Sequence, residues 1–208
     1  MRQIAISIYD YNELSEESKN NAYSYWLEHI FFFDDEYKES LNKFCDIFSL
    51  KGVEYGFDEY NYYINCSTLS RYDNTLKDIK GLKLYKYLWN YYFDDLYGYR
   101  YYWSHTIGCF KNRRSRILIN KDNSCVLTGS CWDYYLVKPL HDFMEHYSNE
   151  KYENTTLKEL LSQCLHDFIE AMQKDYEYSI SKEAFEEDIN NYNTVEFYED
   201  GTVYSWEL

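Results

Sequence analysis

Six cysteines and five histidines are the side chains of this sequence best suited to bind a metal ion or to act as nucleophiles. Thiolate and imidazole groups suit zinc, and the best candidate set of ligands is Cys125, Cys131, His141 and His146. This spacing matches no zinc-finger pattern, and the sequence contains no Cys-x-x-Cys pair. It also lacks a glycine-rich phosphate loop and the Gly-x-Ser-x-Gly and His-Glu-x-x-His motifs. We therefore predict a protein that is not an enzyme and holds no metal or cofactor, with most cysteines buried as small core residues.

A second group with chemical potential is the one concentrated basic segment of the chain, residues 111 to 116. Its cations are Lys111, Arg113, Arg114 and Arg116. Such a group could hold a phosphate or a nucleotide. The alternative is a solvated loop ahead of Ile117, which the formal net charge of −15 favours because it opposes the capture of anions.

A third group consists of carboxylates interleaved with tyrosines toward the C-terminus. Aromatic rings give an interface contact area, and carboxylates steer a partner of opposite charge toward it. The alternative is an ordinary solvated surface that keeps the protein in solution. The residues that we assign to a partner-binding surface are Glu183, Glu186, Glu187, Asp188, Glu196, Tyr198, Glu199 and Asp200.

The negative charge of the chain lies at its two ends. Residues 1 to 46 contain 10 acids and 4 bases, and residues 175 to 208 contain 10 acids and 1 base. Residues 47 to 174 contain 16 of each and are neutral. Direct nucleic acid binding by the acidic face is disfavoured, because it requires lysine and arginine to neutralise phosphates. The same reasoning makes a basic, nucleic-acid-binding protein the natural partner.

Composition predicts one folded domain over residues 1 to 208. The 27 tyrosines, 12 phenylalanines and 5 tryptophans supply a core, and a single proline argues against linkers. No apolar run approaches the roughly 18 to 20 residues of a membrane span, and acids from Asp10 onward replace the apolar part of a signal peptide. Together with the scattered cysteines, this predicts a cytoplasmic protein without membrane contact.

The elements that must position these groups alternate between strand and helix in the first part of the chain. We expect a strand at 3–8, a helix after Ser15, a helix at 35–50 ended by Gly52, and one or two strands at 53–66. Residues 75–103 predict a helix and then a strand from Tyr99. A hairpin is expected from 117–119 and 124–128, paired with the N-terminal strand.

Helices dominate the second part. One contains Leu136 to Tyr147, with Pro139 tolerated near its first turn. The next begins at the capping box of Thr156 and Glu159 and carries a continuous apolar stripe from Leu157 to Met172. A short acidic helix follows Ser181, and the Asp200-Gly201 turn predicts a final hairpin. The fold class predicted is α+β, with mixed helices packed on a small, mostly antiparallel sheet and a C-terminal β-hairpin.

Three segments carry a family resemblance. They are residues 13–26 with 35–40, residues 125–133 with Pro139, Leu140 and Phe143, and residues 160–168 continued through Tyr178, Ser181 and 195–201. In order and spacing they resemble a family of bacteriophage, prophage and plasmid proteins, some loosely labelled antitoxin-like, whose activity is not established. Val126 departs from the family, in which proline commonly follows the first cysteine of the second segment. The likeness covers most of the chain and thins over residues 53 to 115.

The resemblance implies an origin on a mobile element and a place of action in the cytoplasm of a bacterial host. Combined with the terminal acidity, it predicts a binding protein that inhibits a basic, nucleic-acid-binding host defence nuclease. This is an anti-CRISPR-type inhibitor that acts as a nucleic-acid mimic. Two alternatives stay open: an antitoxin that neutralises a basic toxin, and a nucleotide-binding or nucleotide-cleaving protein that uses residues 111 to 116.

Overall fold

The computed structural model describes residues 6–32, 34–71, 79–98, 101–104, 109–112, 125–191 and 195–205. Within them the helices are α1 (Glu16–His29), α2 (Asp35–Phe48), α3 (Ser67–Arg71), α4 (Gly81–Tyr91), α5 (Phe93–Tyr97), α6 (Asp133–His146), α7 (Glu150–Glu153), α8 (Leu157–Ser179) and α9 (Lys182–Asn191). The strands are β1 (Val53–Phe57), β2 (Tyr62–Cys66), β3 (Tyr101–Ser104), β4 (Cys109–Asn112), β5 (Glu196–Phe197) and β6 (Val203–Ser205). Each described strand pairs with one antiparallel neighbour, in the order β1–β2, β3–β4 and β5–β6. The predicted α+β class is confirmed.

Contacts divide the chain into two compact units. The larger unit is Asp34–Gln173, and the smaller unit combines Met1–Phe33 with Lys174–Leu208. The boundary falls inside α8, between Gln173 and Lys174. That the chain forms one domain over residues 1 to 208 stays a prediction.

Helix α8 supplies much of the core of the larger unit. Its first turn is closed by the predicted capping box, in which the Thr156 amide donates to Glu159 Oε2 at 2.8 Å and the Glu159 amide donates to Thr156 Oγ1 at 3.2 Å. The apolar stripe is buried as expected, and its members are Leu157, Leu160, Leu161, Cys164, Leu165, Phe168, Ile169 and Met172. Burial of this stripe, and not helix propensity, is what stabilises a helix of this length.

The loop before α6 is organised by one buried carboxylate. Asp133 is fully buried, and its Oδ2 accepts the amides of Leu127, Thr128 and Gly129 at 2.9, 2.8 and 3.1 Å. The Thr128 hydroxyl donates to Asp133 Oδ1 at 3.0 Å. The prediction of a strand at 124–128 is therefore wrong for residues 125–128, where the amides of Leu127 and Thr128 bind this carboxylate and not a β-ladder. The other predicted strand of that hairpin, at 117–119, lies outside the described residues.

The smaller unit brings the first and last parts of the chain together. Helix α1 begins after Ser15, whose Oγ accepts the amide of Ser18 at 3.1 Å, and α9 begins after Ser181. The amide of Tyr9 donates to the carbonyl of Phe197 at 2.9 Å, and the Phe197 amide donates back at 3.0 Å. The shared core consists of Leu14, Ala22, Trp26, Phe185, Ile189, Val195 and Phe197.

Three other expectations are corrected. Residues 6–8 are not a strand: Ile6 and Ile8 are exposed, and the segment makes only the single bridge of Tyr9, to β5 and not to the middle of the chain. Helix α2 ends at Ser49, which adopts a left-handed conformation with φ of 53°, before Gly52 is reached. Pro139 lies in the second turn of α6 and not in its first.

No helix of the described residues combines the length and the apolar character that a membrane crossing requires.

Candidate partner-binding surface

Most acids of the two acidic ends of the sequence belong to one folded unit. The ranges that form the smaller unit contain 15 acids and 4 bases, a net charge of −11 out of −15. Five N-terminal acids counted with the acidic end, Asp34, Asp35, Glu36, Glu39 and Asp46, belong instead to the larger unit. The smaller unit therefore carries most of the net negative charge of the chain.

The turn between β5 and β6 is held against α1. The Ser18 hydroxyl donates to the carbonyl of Glu199 at 2.6 Å, and Asn21 Nδ2 donates to the carbonyl of Asp200 at 3.0 Å. These bonds use the main chain of the turn and leave both acidic side chains exposed. Glu199 and Asp200 consequently lie beside the first turns of α1, where Glu16 and Glu17 are also exposed.

Helix α9 presents its acids away from its core side. Phe185 and Ile189 are buried against α1 and the hairpin, whereas Glu183, Glu186 and Glu187 are exposed. This is the division that a helical period imposes when one stripe is apolar. Glu196 on β5 is exposed as well, because alternation along the strand buries its neighbours Val195 and Phe197.

Two residues of the predicted surface have a role inside the unit. Asp188 is half-buried, and its Oδ2 accepts the indole N–H of buried Trp26 at 3.1 Å. Tyr198 is half-buried and packs edge-to-face on Tyr204, with ring centroids 5.4 Å apart. Asp188 is therefore one of the contacts that join α1 to α9, and Tyr198 is only partly available to a partner.

Three ionisable side chains of this unit have shifted pKa values: Tyr11, Tyr178 and Asp200. Burial raises the pKa of Tyr11, and the nearby carboxylates of Glu186 and Glu16 raise that pKa further. The hydrogen bond from the Tyr178 hydroxyl to Glu187 Oε2, 2.7 Å long, raises the pKa of Tyr178. Bonds from the hydroxyl and the amide of Thr202 lower the pKa of Asp200 below 3.8, so that Asp200 carries its charge at neutral pH.

The smaller unit also contains a polar pocket of about 230 Å³. The turn at Tyr11–Glu13, α1 and α9 enclose it. Its lining residues are Tyr11, Asn12, Glu16, Lys19, Asn20, Tyr23, Lys182, Glu186 and Asn190. Sequence reasoning singled out only Glu186 among them, because the pocket joins segments that lie far apart in the chain.

Comparison with protein-family models, curated proteins and solved structures finds no match. The resemblance to phage and plasmid proteins stays a prediction.

The basic segment at 111–116 lies mostly outside the described residues. Lys111 belongs to β4, where its backbone is paired with Tyr102, and Arg113, Arg114 and Arg116 lie beyond the described part of the chain. An anion site formed by these four side chains stays a prediction.

The cysteine and histidine side chains considered as zinc ligands have separate environments. His141 is largely buried, and its Nε2 lies 2.7 Å from the carbonyl of Leu96; burial lowers its pKa. His146 is exposed and its Nδ1 lies 3.2 Å from the carbonyl of Asp142, while Cys131 is exposed and Cys125 half-buried. Within the described residues these four do not form a common ligand group.

Burial disfavours thiolate formation at the interior cysteines. Desolvation raises the pKa of Cys45 to about 11 and that of Cys164 well above its usual range. Cys66 and Cys164 are buried and Cys45 is half-buried. These three match the predicted role of small core residues, whereas the exposed Cys131 does not.

One group of ligand-type side chains was not singled out from the sequence. His166, Asp167 and Glu170 lie on one side of α8, with ligand atoms within 4.8 Å of one another. His166 Nδ1 is 3.9 Å from Asp167 Oδ1 and 4.0 Å from Glu170 Oε2, distances that ion pairing alone explains when the imidazole is protonated. The sequence signal for this group is the spacing of His166 and Glu170, since residues four apart in a helix lie on the same side.

A second cavity, of about 570 Å³, lies among α6, α7 and α8. Its cations are Lys138, which pairs with Asp142 at 2.5 Å, and Lys151, which lies over the ring of Tyr152. The carboxylates of Asp142, Glu159 and Asp167 also line it. The mixed charges already neutralise one another in part, and the cavity shows no converging set of catalytic groups.

Proposed function

We propose that this protein is a non-enzymatic binding protein whose smaller unit engages a basic, nucleic-acid-binding protein. The specific partner proposed is a defence nuclease of a bacterial host, which the protein inhibits by occupying the groove that nucleic acid would enter. The observation that carries the proposal is that most acids of the two acidic ends of the chain lie in one compact unit, whose net charge is −11.

Exposure of the carboxylates supports this proposal. Unpaired carboxylates are too costly to bury, so acids on a short helix and a two-stranded turn must face water or a partner. Glu183, Glu196 and Glu199 are exposed, and none of them makes a side-chain hydrogen bond or ion pair with another described residue. Carboxylates that no internal cation neutralises attract a basic groove over long range.

The mode of action follows from charge competition. A groove that binds nucleic acid is lined by lysine and arginine and gains its affinity from neutralising phosphates. A rigid array of carboxylates offers the same groove a second set of anions and thereby excludes the nucleic acid. Inhibition of this kind needs no chemistry from the inhibitor.

The experiment is a phage-plating assay in bacteria whose CRISPR–Cas nuclease targets the phage. Expression of the protein should restore plating, as the nuclease can no longer bind its target. A smaller-unit variant with Glu183→Lys, Glu196→Lys and Glu199→Lys should lose this effect. A matched control with Glu54→Lys, Glu150→Lys and Glu153→Lys changes the same charge on exposed positions of the larger unit and should retain it.

Two results would contradict the proposal. If no nuclease in a panel of the known effector classes is inhibited, the defence nuclease is the wrong partner. Rescue of cells from a co-expressed basic toxin would then favour the antitoxin alternative. If inhibition occurs but both triple variants lose it equally, net charge and not the smaller unit is responsible.

A further inference from the structure

The pocket of the smaller unit lies within the acidic surface and is lined by two carboxylates, three asparagines and two tyrosine rings. Glu16 and Glu186 contribute the carboxylates, and Tyr11 and Tyr23 contribute the rings. Its volume of about 230 Å³ is below the usual range of roughly 300 to 1,000 Å³ for small-molecule sites. A single side chain of a partner fits this size better than a cofactor does.

Some of these groups are already bonded. Lys19 Nζ pairs with Glu16 Oε1 at 3.3 Å, and Lys182 Nζ donates to Asn20 Oδ1 at 2.8 Å. Among the described residues, the side chains of Glu186, Asn12 and Asn190 make no hydrogen bond or ion pair. The pocket thus has one carboxylate and two amides available for an incoming group.

The tyrosine rings already attract cations of the protein itself. Lys19 Nζ lies 5.5 Å from the ring centroid of Tyr11, and Lys182 Nζ lies 5.7 Å from that of Tyr23. Both distances fall within the range of cation–π attraction. Burial raises the pKa of Tyr11, and the carboxylates of Glu186 and Glu16 raise it further, so both carboxylates lie close enough to this ring to act on a charge beside it.

We infer that this pocket receives one arginine side chain of the basic partner, with the guanidinium bound by the Glu186 carboxylate and the amide oxygens of Asn12 and Asn190 beside the Tyr11 ring. Arginine fits this set better than lysine. Its planar guanidinium offers five donors and stacks on aromatic rings, whereas an ammonium is a compact point charge. The inference rests on the proposed function, because it names the group by which the acidic unit recognises a basic protein.

The test uses peptides, and therefore does not require the natural partner. Hexa-arginine and hexa-lysine, which carry equal charge, are titrated into the isotopically labelled full chain and followed by NMR. We expect hexa-arginine to bind about fivefold more tightly than hexa-lysine and to shift the resonances of Asn12 and Asn190. Glu186→Gln should weaken hexa-arginine binding by about fivefold. The matched control Glu28→Gln removes the same charge from an exposed position of α1 in the same unit, outside the pocket, and should change binding less than twofold.

A third variant separates cation binding from anion binding. Lys182→Met removes a competing cation from the pocket and should strengthen hexa-arginine binding. If the original protein binds inorganic phosphate and Lys182→Met binds it more weakly, the pocket is an anion site and the inference is wrong. Equal affinity for both peptides, or equal losses in Glu186→Gln and Glu28→Gln, would also overturn it. None of these outcomes affects the plating assay, so failure of the pocket is distinguishable from failure of the proposed function.

Discussion

Gly201 lies against the main chain of Ser18 so closely that no side chain fits between them. A Cβ atom built on Gly201 would overlap the carbonyl oxygen of Ser18 and lie 2.8 Å from its carbonyl carbon. Gly201 also has a φ of +87°, a conformation that residues with side chains rarely adopt. This contact allows the β5–β6 turn, and with it Glu199 and Asp200, to rest on α1.

The first prediction concerns this contact. Gly201→Ala should lower the free energy of unfolding of the protein by about 2 kcal/mol or more, because it adds a steric clash to a strained φ. Gly129→Ala is the control: its φ is +97°, but nothing lies within 4 Å of the added Cβ, so only about 1 kcal/mol should be lost. Urea unfolding followed by tryptophan fluorescence measures both. Equal losses of stability in the two variants would show that the close approach of Gly201 to Ser18 does not exclude a side chain.

The second prediction concerns the buried carboxylate of Asp133. Asp133→Asn should cost about 3 kcal/mol or more, since an amide cannot accept three backbone N–H groups in place of the carboxylate without leaving donors unsatisfied. The exposed Asp95 on α5 provides the control, and Asp95→Asn should leave stability nearly unchanged. Thermal unfolding of the two variants is the measurement, and similar midpoints would contradict the role assigned to Asp133.

The third prediction concerns association kinetics with a nuclease inhibited in the plating assay. The variant with Glu183→Lys, Glu196→Lys and Glu199→Lys should associate at least about tenfold more slowly, because long-range attraction sets the encounter rate. The original protein should associate more slowly as salt rises, since charges are screened over roughly 8 Å at physiological ionic strength. Surface plasmon resonance at two salt concentrations tests this. An association rate that responds neither to the reversal nor to salt would leave the acidic face as a merely solvated surface.

The fourth prediction concerns the pH dependence of the α8 cap. Bonds from the amide and then from the hydroxyl of Thr156 lower the pKa of Glu159 below 4.5. Because this pKa is lower in the folded than in the unfolded chain, ionised Glu159 stabilises the fold at neutral pH, and that contribution is lost as the pH falls through the folded pKa. Glu159→Gln should therefore be less stable than the original protein at pH 7, and the difference should shrink at pH 3.

The control for this comparison is Glu153→Gln. It removes an equal charge from an exposed position whose side chain makes no hydrogen bond within the described part of the chain. Urea unfolding at both pH values should show no comparable pH-dependent difference for it. If the two variants behave alike, the effect of Glu159 is one of net charge and not of capping.

The elements that the sequence predicted correctly depend on neighbouring residues. The capping box at Thr156 and Glu159 spans three positions, and the caps at Ser15 and Ser181 each bond an amide three residues later. The apolar stripe of α8 and the Asp200-Gly201 turn are equally local. Caps, helical periodicity and tight turns are set by contacts within about one turn of chain, so their residue patterns identify them without knowledge of the fold.

Errors occurred where a partner outside the segment decided the outcome. The isoleucines at 6 and 8 alternate as a strand would, yet strand formation needs a neighbour along its length, and β5 offers the segment only the bridge at Tyr9. Residues 125–128 have strand-like composition, but the carboxylate of Asp133 takes the amides that a ladder would need.

The sequence by itself determined that the chain is strongly acidic at both ends. It also determined where α1, α2, α8 and α9 begin and which face of α8 is apolar. Only the tertiary structure decided that the two acidic ends meet. The contacts that join them link residues far apart in the sequence. Ser18 and Glu199 are separated by 181 positions, and Trp26 and Asp188 by 162 positions. The same meeting creates the pocket beside Glu186 and gives Asp188 a role in packing. Charge, capping and periodicity belong to the residues in order along the chain, whereas a surface exists only after distant segments have been brought together by the burial of a shared core.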